Sequence, residues 1–167
     1  FMDSDDWIES NLLEDNLKIV EEEKLNFVVF GYFQDSEDIN NNVKQTLVVN
    51  CDNNTFSKVD KNLEIDENIL GLLGYAWNKI YRKSFLDYHK LQFEKGTSLI
   101  EDILFNSQVY IKTDKIRLNA GVYYHYMNRP VQTLIKQFHF NSFDLNLRRT
   151  KNIKSFFEAW DLDEEKS

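Results

Sequence analysis

The chain contains one cysteine, one proline and five glycines among 167 residues. A lone Cys51 excludes an internal disulfide and points to a reducing compartment. So little glycine and proline excludes collagen-like and linker-like classes. No apolar run approaches the ~20 residues that a membrane-spanning helix needs, the longest being Phe27 to Phe33. A basic cluster is also lacking. With 20 Lys and Arg against 28 Asp and Glu, the formal charge is −8, so a nucleic-acid backbone is not an expected partner. An acidic protein still binds an anionic nucleotide where a divalent cation bridges the two.

Aromatic side chains are plentiful. With 13 Phe, 8 Tyr and 3 Trp, and hydrophobic residues at 42%, the chain is too apolar for disorder and long enough for one core. The spacing of Ile8, Leu12, Leu13, Leu17 and Val20 predicts a helix from about Ile8 to Glu23, capped by Asp5 or Asp6. Phe27 to Phe33 reads as a buried strand. Residues 34–62 are rich in Asn and Asp around a short strand at Thr46–Val49, and read as a variable insertion. A short helix is expected over Ile65–Leu73, extended chain over Tyr75–Tyr81, and then a turn or helix capped by Ser84. Leu99–Ile111 reads as helix, Ile116–Leu118 and Val122–Tyr126 as two short strands, and 142–160 as an amphipathic helix before an acidic tail from Asp161. Such alternation favours an α/β sandwich with a mixed sheet.

Two acidic segments carry the chemistry. Phe1-Met2-Asp3-Ser4-Asp5-Asp6-Trp7 reads as the last apolar pair of a strand, three carboxylates and the approach to a helix. Open α/β sheets bind ligands at the carboxyl ends of their strands. Asp3 and Asp5, one residue apart, can both face one cation, and Mn2+ or Mg2+ suits oxygen ligands that share a diphosphate. The plain alternative is an acidic helix N-terminus favoured by the helix dipole. A calcium loop does not fit: the EF-hand needs a Gly after its third acidic ligand, and Trp7 and Ile8 break the pattern. Downstream, Glu101-Asp102 opens a helix. Burial in a cleft would raise Asp102 toward the range of a general base. Alternatively Ser98, three residues before Glu101, makes a simple capping box.

Four segments, in this order, resemble family-two glycosyltransferases. The first is similar to that family's Asp-x-Asp segment. Tyr75-Ala76-Trp77-Asn78-Lys79-Ile80-Tyr81-Arg82 is similar to its Trp-Asn-Lys-apolar-Tyr-Arg stretch. Gly96 to Asn106 resembles its glycine, Glu-Asp pair and apolar helix. Val122 to Arg129 resembles its aromatic strand, usually ending in Tyr-Arg-x-Arg, of which the first arginine is absent here. The likeness spans residues 1 to about 135. It implies an α/β fold of partial GT-A type, the nucleotide-diphospho-sugar transferase mixed sheet flanked by helices, with the N-terminal nucleotide-binding half missing. Residues 1–135 would be the catalytic, acceptor-side portion and 136–167 a C-terminal helical extension.

By the same resemblance, Asp3 and Asp5 hold Mn2+ or Mg2+ and the donor diphosphate between them, Asp5 directly, and Asp6 extends the donor contact. Asp102 is the catalytic base, with Glu101 positioning it or touching the acceptor. Trp77, Asn78 and Lys79 would wall a sugar site, the alternative being a buried Trp77 beside a solvated lysine. Arg129 would touch a phosphate. His125 is either a third metal ligand or a hydrogen-bonded strand histidine. The expected activity is metal-dependent, inverting transfer from a UDP-sugar to a saccharide or lipid-linked acceptor, in polysaccharide biosynthesis. It would take place in the cytoplasm or at the inner face of the membrane, with at most peripheral membrane association. Missing sheet neighbours would leave an edge open to homodimerisation. Activity of this chain alone is expected to be impaired, and the alternative is a non-catalytic folded remnant or a binding and oligomerisation module.

Overall fold

The longest apolar run becomes the centre of the sheet. In a computed structural model, which describes residues 1–40, 42–60, 63–129 and 140–162, β2 (Phe27–Glu37) lies parallel to β6 (Lys115–Asn128). Phe27 to Tyr32 are all buried, as a strand covered on both faces requires. A parallel pair needs a long crossover, and every element between the two strands belongs to it. The four shorter strands pair antiparallel with this centre. Beside the first half of β2 lies β5 (Lys79–Tyr81), and beside the first half of β6 lies β4 (Asn54–Ser57). At the other end, β3 (Val43–Val49) flanks β2 and β1 (Trp7–Ile8) flanks β6. The result is a six-stranded mixed sheet. β3 forms an outer edge with Val43, Leu47 and Val48 exposed.

Helices flank the sheet: α1 (Leu12–Glu22), α2 (Glu67–Gly74), α3 (Lys83–His89), α4 (Glu101–Lys112) and α5 (Ser142–Trp160). Alternation along β2 divides the packing. Val28 meets Val20 of α1, whereas Phe27 and Val29 join Leu72 of α2 and Phe105 and Val109 of α4. α5 is locked onto α4 by the Trp160 indole, which donates to the Tyr110 carbonyl at 2.7 Å. Among the described residues no helix is long and apolar enough to cross a membrane. The expected start of the C-terminal extension at 136 and the acidic tail beyond Leu162 lie outside the described residues.

Several local expectations are corrected. α1 begins at Leu12, because Trp7 and Ile8 pair with His125 and Tyr124 as a strand instead. Asp5 and Asp6 therefore do not cap it; Asn11 stands at the cap, its amide turned to Asp15. Ser84 lies inside α3, and Ser98 makes no capping box, since Ile100 precedes α4 without a side-chain cap. Phe1 and Met2 take no strand pairing. The two short strands after 115 are one, continued through a bulge where β6 register moves from Asn119 opposite Phe30 to Val122 opposite Gly31. Gly31 must be glycine here: a Cβ would stand 2.6 Å from the Val49 carbonyl oxygen.

The C-terminal end of α2 is held by side chains. The last carbonyls of a helix lack intrahelical partners. Here Lys79 and Asn78 donate to the Leu72 oxygen at 2.9 and 3.0 Å, Tyr110 to Leu73 at 2.6 Å, and Asn106 to Gly74 at 3.0 Å. Lys79 also donates to the Tyr75 carbonyl. Asn78, fully buried, reaches the Phe30 carbonyl of β2 as well. Asn78→Ala removes the side-chain donor to Phe30, one of the two donors to Leu72, and the amide oxygen that accepts from Lys79, and buried polar groups left unsatisfied cost ~1–3 kcal/mol each. The expected outcome is a loss of about 2–4 kcal/mol, read as a lower urea midpoint at unchanged slope.

Candidate functional site

Three carboxylates adjacent in the sequence take different roles. Asp6 is only 7% exposed, and both its oxygens are occupied. The Tyr124 hydroxyl donates to one at 2.6 Å and the Met127 backbone N–H to the other at 2.9 Å. The same hydroxyl accepts from the Asp3 backbone N–H at 3.1 Å. Burial, followed by the bond to Asp6, pushes the Tyr124 phenol far above its ordinary range. Asp6 thus anchors the acidic loop to β6, which corrects its assignment as a donor contact. Asp3 and Asp5 keep solvent access. Protein mass around Asp3, then the charges of Asp6, Asp102 and Asp5, raises its carboxyl above the usual value. That is a concentration of negative charge which a cation would relieve.

The basic neighbours are already engaged. Arg129 donates to Glu37 at 2.9 Å and pairs with Asp5, so its expected phosphate contact is replaced here by carboxylates. His125 is not placed as a third metal ligand. Its Nδ1 lies 2.7 Å from buried Asp35 and its Nε2 3.0 Å from Glu9, so each ring nitrogen faces a carboxylate. The imidazole is also stacked between Trp7 and Phe33, the residues opposite it on β1 and β2. Among the described residues, no three of His, Cys, Asp and Glu come together as a metal site. Asp3 and Asp5 fit a hard cation only as two ligands, with a bound anion completing the set.

Asp102 lies in the first turn of α4, where it accepts from the Ala76 N–H at 2.9 Å through Oδ2. Burial, reinforced by Glu101, raises its pKa against the opposing effects of the Ala76 bond and Lys79. Its charge also reaches Asp3, so the two acidic segments of the sequence converge in space. Glu101 has one buried oxygen, Oε2, without a hydrogen-bond partner among the described residues.

The Trp-Asn-Lys stretch proves structural. Asn78 and Lys79 serve the end of α2, and burial drives the Lys79 ammonium well below its ordinary pKa. Neither is open to a ligand, which corrects both the binding role and the solvated lysine. Trp77 is 8% exposed, covered by a pile of rings. Tyr75 stacks on it at 4.7 Å, Tyr124 at 4.6 Å and Tyr126 at 5.6 Å, with Tyr32 edge-on at 4.8 Å. Sequence reasoning passed over Tyr75 and Tyr126. The available signal was aromatic density at alternate positions: Tyr124 and Tyr126 share one face of β6, whereas a bend and turn ahead of β5 bring Tyr75 onto Trp77.

This sheet and helix arrangement is a glycosyltransferase fold. It matches the crystal structure of residues 1–349 of S. aureus TarS in complex with UDP-GlcNAc, at a TM-score of 0.66 and 18% identity over 92% of this chain and 41% of that one. A second TarS 1–349 crystal structure matches at 0.51 and 21% identity, over 76% of this chain and 34% of that one. No protein-family model matches the chain. Among curated proteins it is similar to EpsH of Bacillus subtilis strain 168, named as a glycosyltransferase, at 28% identity over 75% of this chain and 36% of EpsH. It is also similar to the glycosyltransferase GlyA of Streptococcus pneumoniae, at 30% identity over 74% of this chain and 18% of GlyA. The chain thus spans about a third or less of the length of these relatives.

A carboxyl with a raised folded pKa binds more protons folded than unfolded, so its ionisation subtracts stability as pH rises through that window. Asp102→Asn removes this loss while keeping an oxygen for Ala76. Its urea midpoint is expected to gain on the wild type as pH is raised from about 3 to about 7. A difference that stays flat over that range would mean that Asp102 ionises freely.

Proposed function

We propose that the chain forms the acceptor side and the metal-binding loop of a family-two, GT-A-type glycosyltransferase, which transfers a sugar with inversion from a UDP-sugar to a saccharide or lipid-linked acceptor. The observation that carries this reading is the convergence of Asp102, a carboxyl with a raised pKa fixed by Ala76, on the charge-dense loop of Asp3. A base poised by burial takes a proton more effectively near neutral pH than an ordinary carboxylate. The likeness to proteins named glycosyltransferases, and to a TarS structure holding UDP-GlcNAc, supports a nucleotide-sugar donor.

In this mechanism the acceptor hydroxyl lies against Asp102, whose Oδ1 accepts no hydrogen bond among the described residues. As the acceptor oxygen bonds to the anomeric carbon, its proton passes to Asp102. The anomeric carbon–phosphate oxygen bond breaks on the opposite face, and the nucleoside diphosphate leaves with that electron pair. Asp3 and Asp5 would hold Mn2+ or Mg2+, which supplies charge neutralisation for the leaving diphosphate. Arg129 exchanges Asp5 for the diphosphate as the donor arrives.

Calorimetric titration of UDP, with and without Mn2+, tests the donor site. Heat is expected only with Mn2+, and none in Asp5→Ala; absence of heat under both conditions would sink the self-sufficient donor site and favour a folded module without catalysis. In a protein that turns over, Asp102→Asn is expected to lower kcat by about 10²–10⁴-fold with UDP affinity unchanged.

Arg129 gives a second test of opposite signs. Freeing Asp5 by Arg129→Ala should tighten binding of Mn2+ alone, followed by the electron paramagnetic resonance of free Mn2+, and weaken UDP binding in its presence. Weakening of both would mean that Arg129 only holds the loop.

A further inference from the structure

We infer that Tyr75 is the floor of a pyranose-binding subsite beside Asp102, a role for which sequence alone suggested Trp77. The inference rests on the glycosyl-transfer reading for the identity of its ligand, and on the following geometry for its place.

Trp77 cannot serve, because rings cover it on several sides and leave it 8% exposed. Tyr75 is the most exposed member of the same pile, at 40%, with Tyr126 half-buried. One face of its ring lies on Trp77, with planes 22° apart, and Tyr32 meets it nearly at right angles, at 81°. Burial, then the interaction with the neighbouring Tyr75 hydroxyl, raises the Tyr32 phenol to about 12. Tyr75 is therefore braced from behind and from the side, and the face turned away from Trp77 has no ring partner among the described residues. A rigid, exposed aromatic face costs little ordering on binding.

Its neighbours give that face a direction. The next residue, Ala76, donates its N–H to Asp102. Tyr126, stacked on Trp77 beside it, feels the charges of Asp6, Asp3 and Asp5 as well as Tyr75. Tyr75 thus sits one residue from the amide that holds the proposed base, in the same ring pile as a tyrosine that feels the acidic loop. A ligand here needs one apolar face for the ring and hydroxyls at its rim for the carboxylates. A pyranose has that shape: axial C–H groups on a face and hydroxyls around the edge. Peptides and nucleobases match it less well, because neither offers a ring of hydroxyl donors to a site rich in acceptors.

The test uses saturation-transfer NMR on the chain with methyl β-D-glucopyranoside, methyl β-D-galactopyranoside and, as an open-chain polyol control, mannitol. Saturation is expected on the ring C–H protons of at least one pyranoside and not on mannitol. It should fall about tenfold in Tyr75→Ala and persist in Tyr75→Phe and Tyr75→Trp, in proportion to a stacking contact. An unchanged circular dichroism spectrum shows that the variants remain folded. Equal saturation in Tyr75→Ala, or none on either pyranoside with wild type, overturns the subsite. UDP binding with Mn2+ but no pyranoside saturation sinks this inference alone. Pyranoside saturation that depends on Tyr75, without UDP binding, upholds it and sinks the metal-dependent transferase reading.

Discussion

Burying a carboxylate is costly unless donors meet the lone pairs turned inward. Asp6 satisfies that condition with two donors from one strand, the Tyr124 hydroxyl and the Met127 N–H. The bonds tie a loop of otherwise exposed residues to the middle of the sheet. They act together with the two-residue strand β1, the Arg129–Asp5 pair and Phe1 packed against Tyr81, Phe93 and Phe105 to hold Asp3 and Asp5 beside β6. The acidic run is thus divided by burial: Asp6 is held inside, while Asp3 and Asp5 stay at the surface.

A second constraint acts from the opposite side. The end of α2 turns its carbonyls into the protein, and Asn78, Lys79, Asn106 and Tyr110 converge to meet them. This network stiffens the segment that follows the helix, including Ala76, whose N–H positions Asp102. Buried polar networks that are fully satisfied rigidify their surroundings. The Trp-Asn-Lys stretch therefore serves the site indirectly, by fixing the backbone from which Tyr75 and Ala76 reach it.

The distribution of charge follows the same division. Arg129 lies between Asp5 and Glu37, and the His125 ring between Asp35 and Glu9, so the basic side chains at this end of the sheet brace carboxylates. Around Asp3 and Asp102 carboxylate charges reinforce one another. Low local dielectric makes that arrangement unfavourable in isolation and receptive to a cation.

The amino-acid sequence by itself determined the central strand, the helices at 67–74, 101–112 and 142–160 within a few residues, and the α/β class, because long periodic apolar patterns commit a segment to one face of a core. It also marked the two acidic segments. It did not reveal that Trp7 and Ile8 would leave the helical pattern, since only pairing with β6 makes two residues a strand. Nor did it show that Ala120 and Gly121 would form a bulge rather than a break, because the register of β2 decides that. Asp3, Asp5 and Asp6 look alike in sequence, as do Trp77 and Tyr75. Which of them is buried, and which stays open, depends on what the long crossover packs against them. That outcome is non-local, and only the tertiary structure decided it.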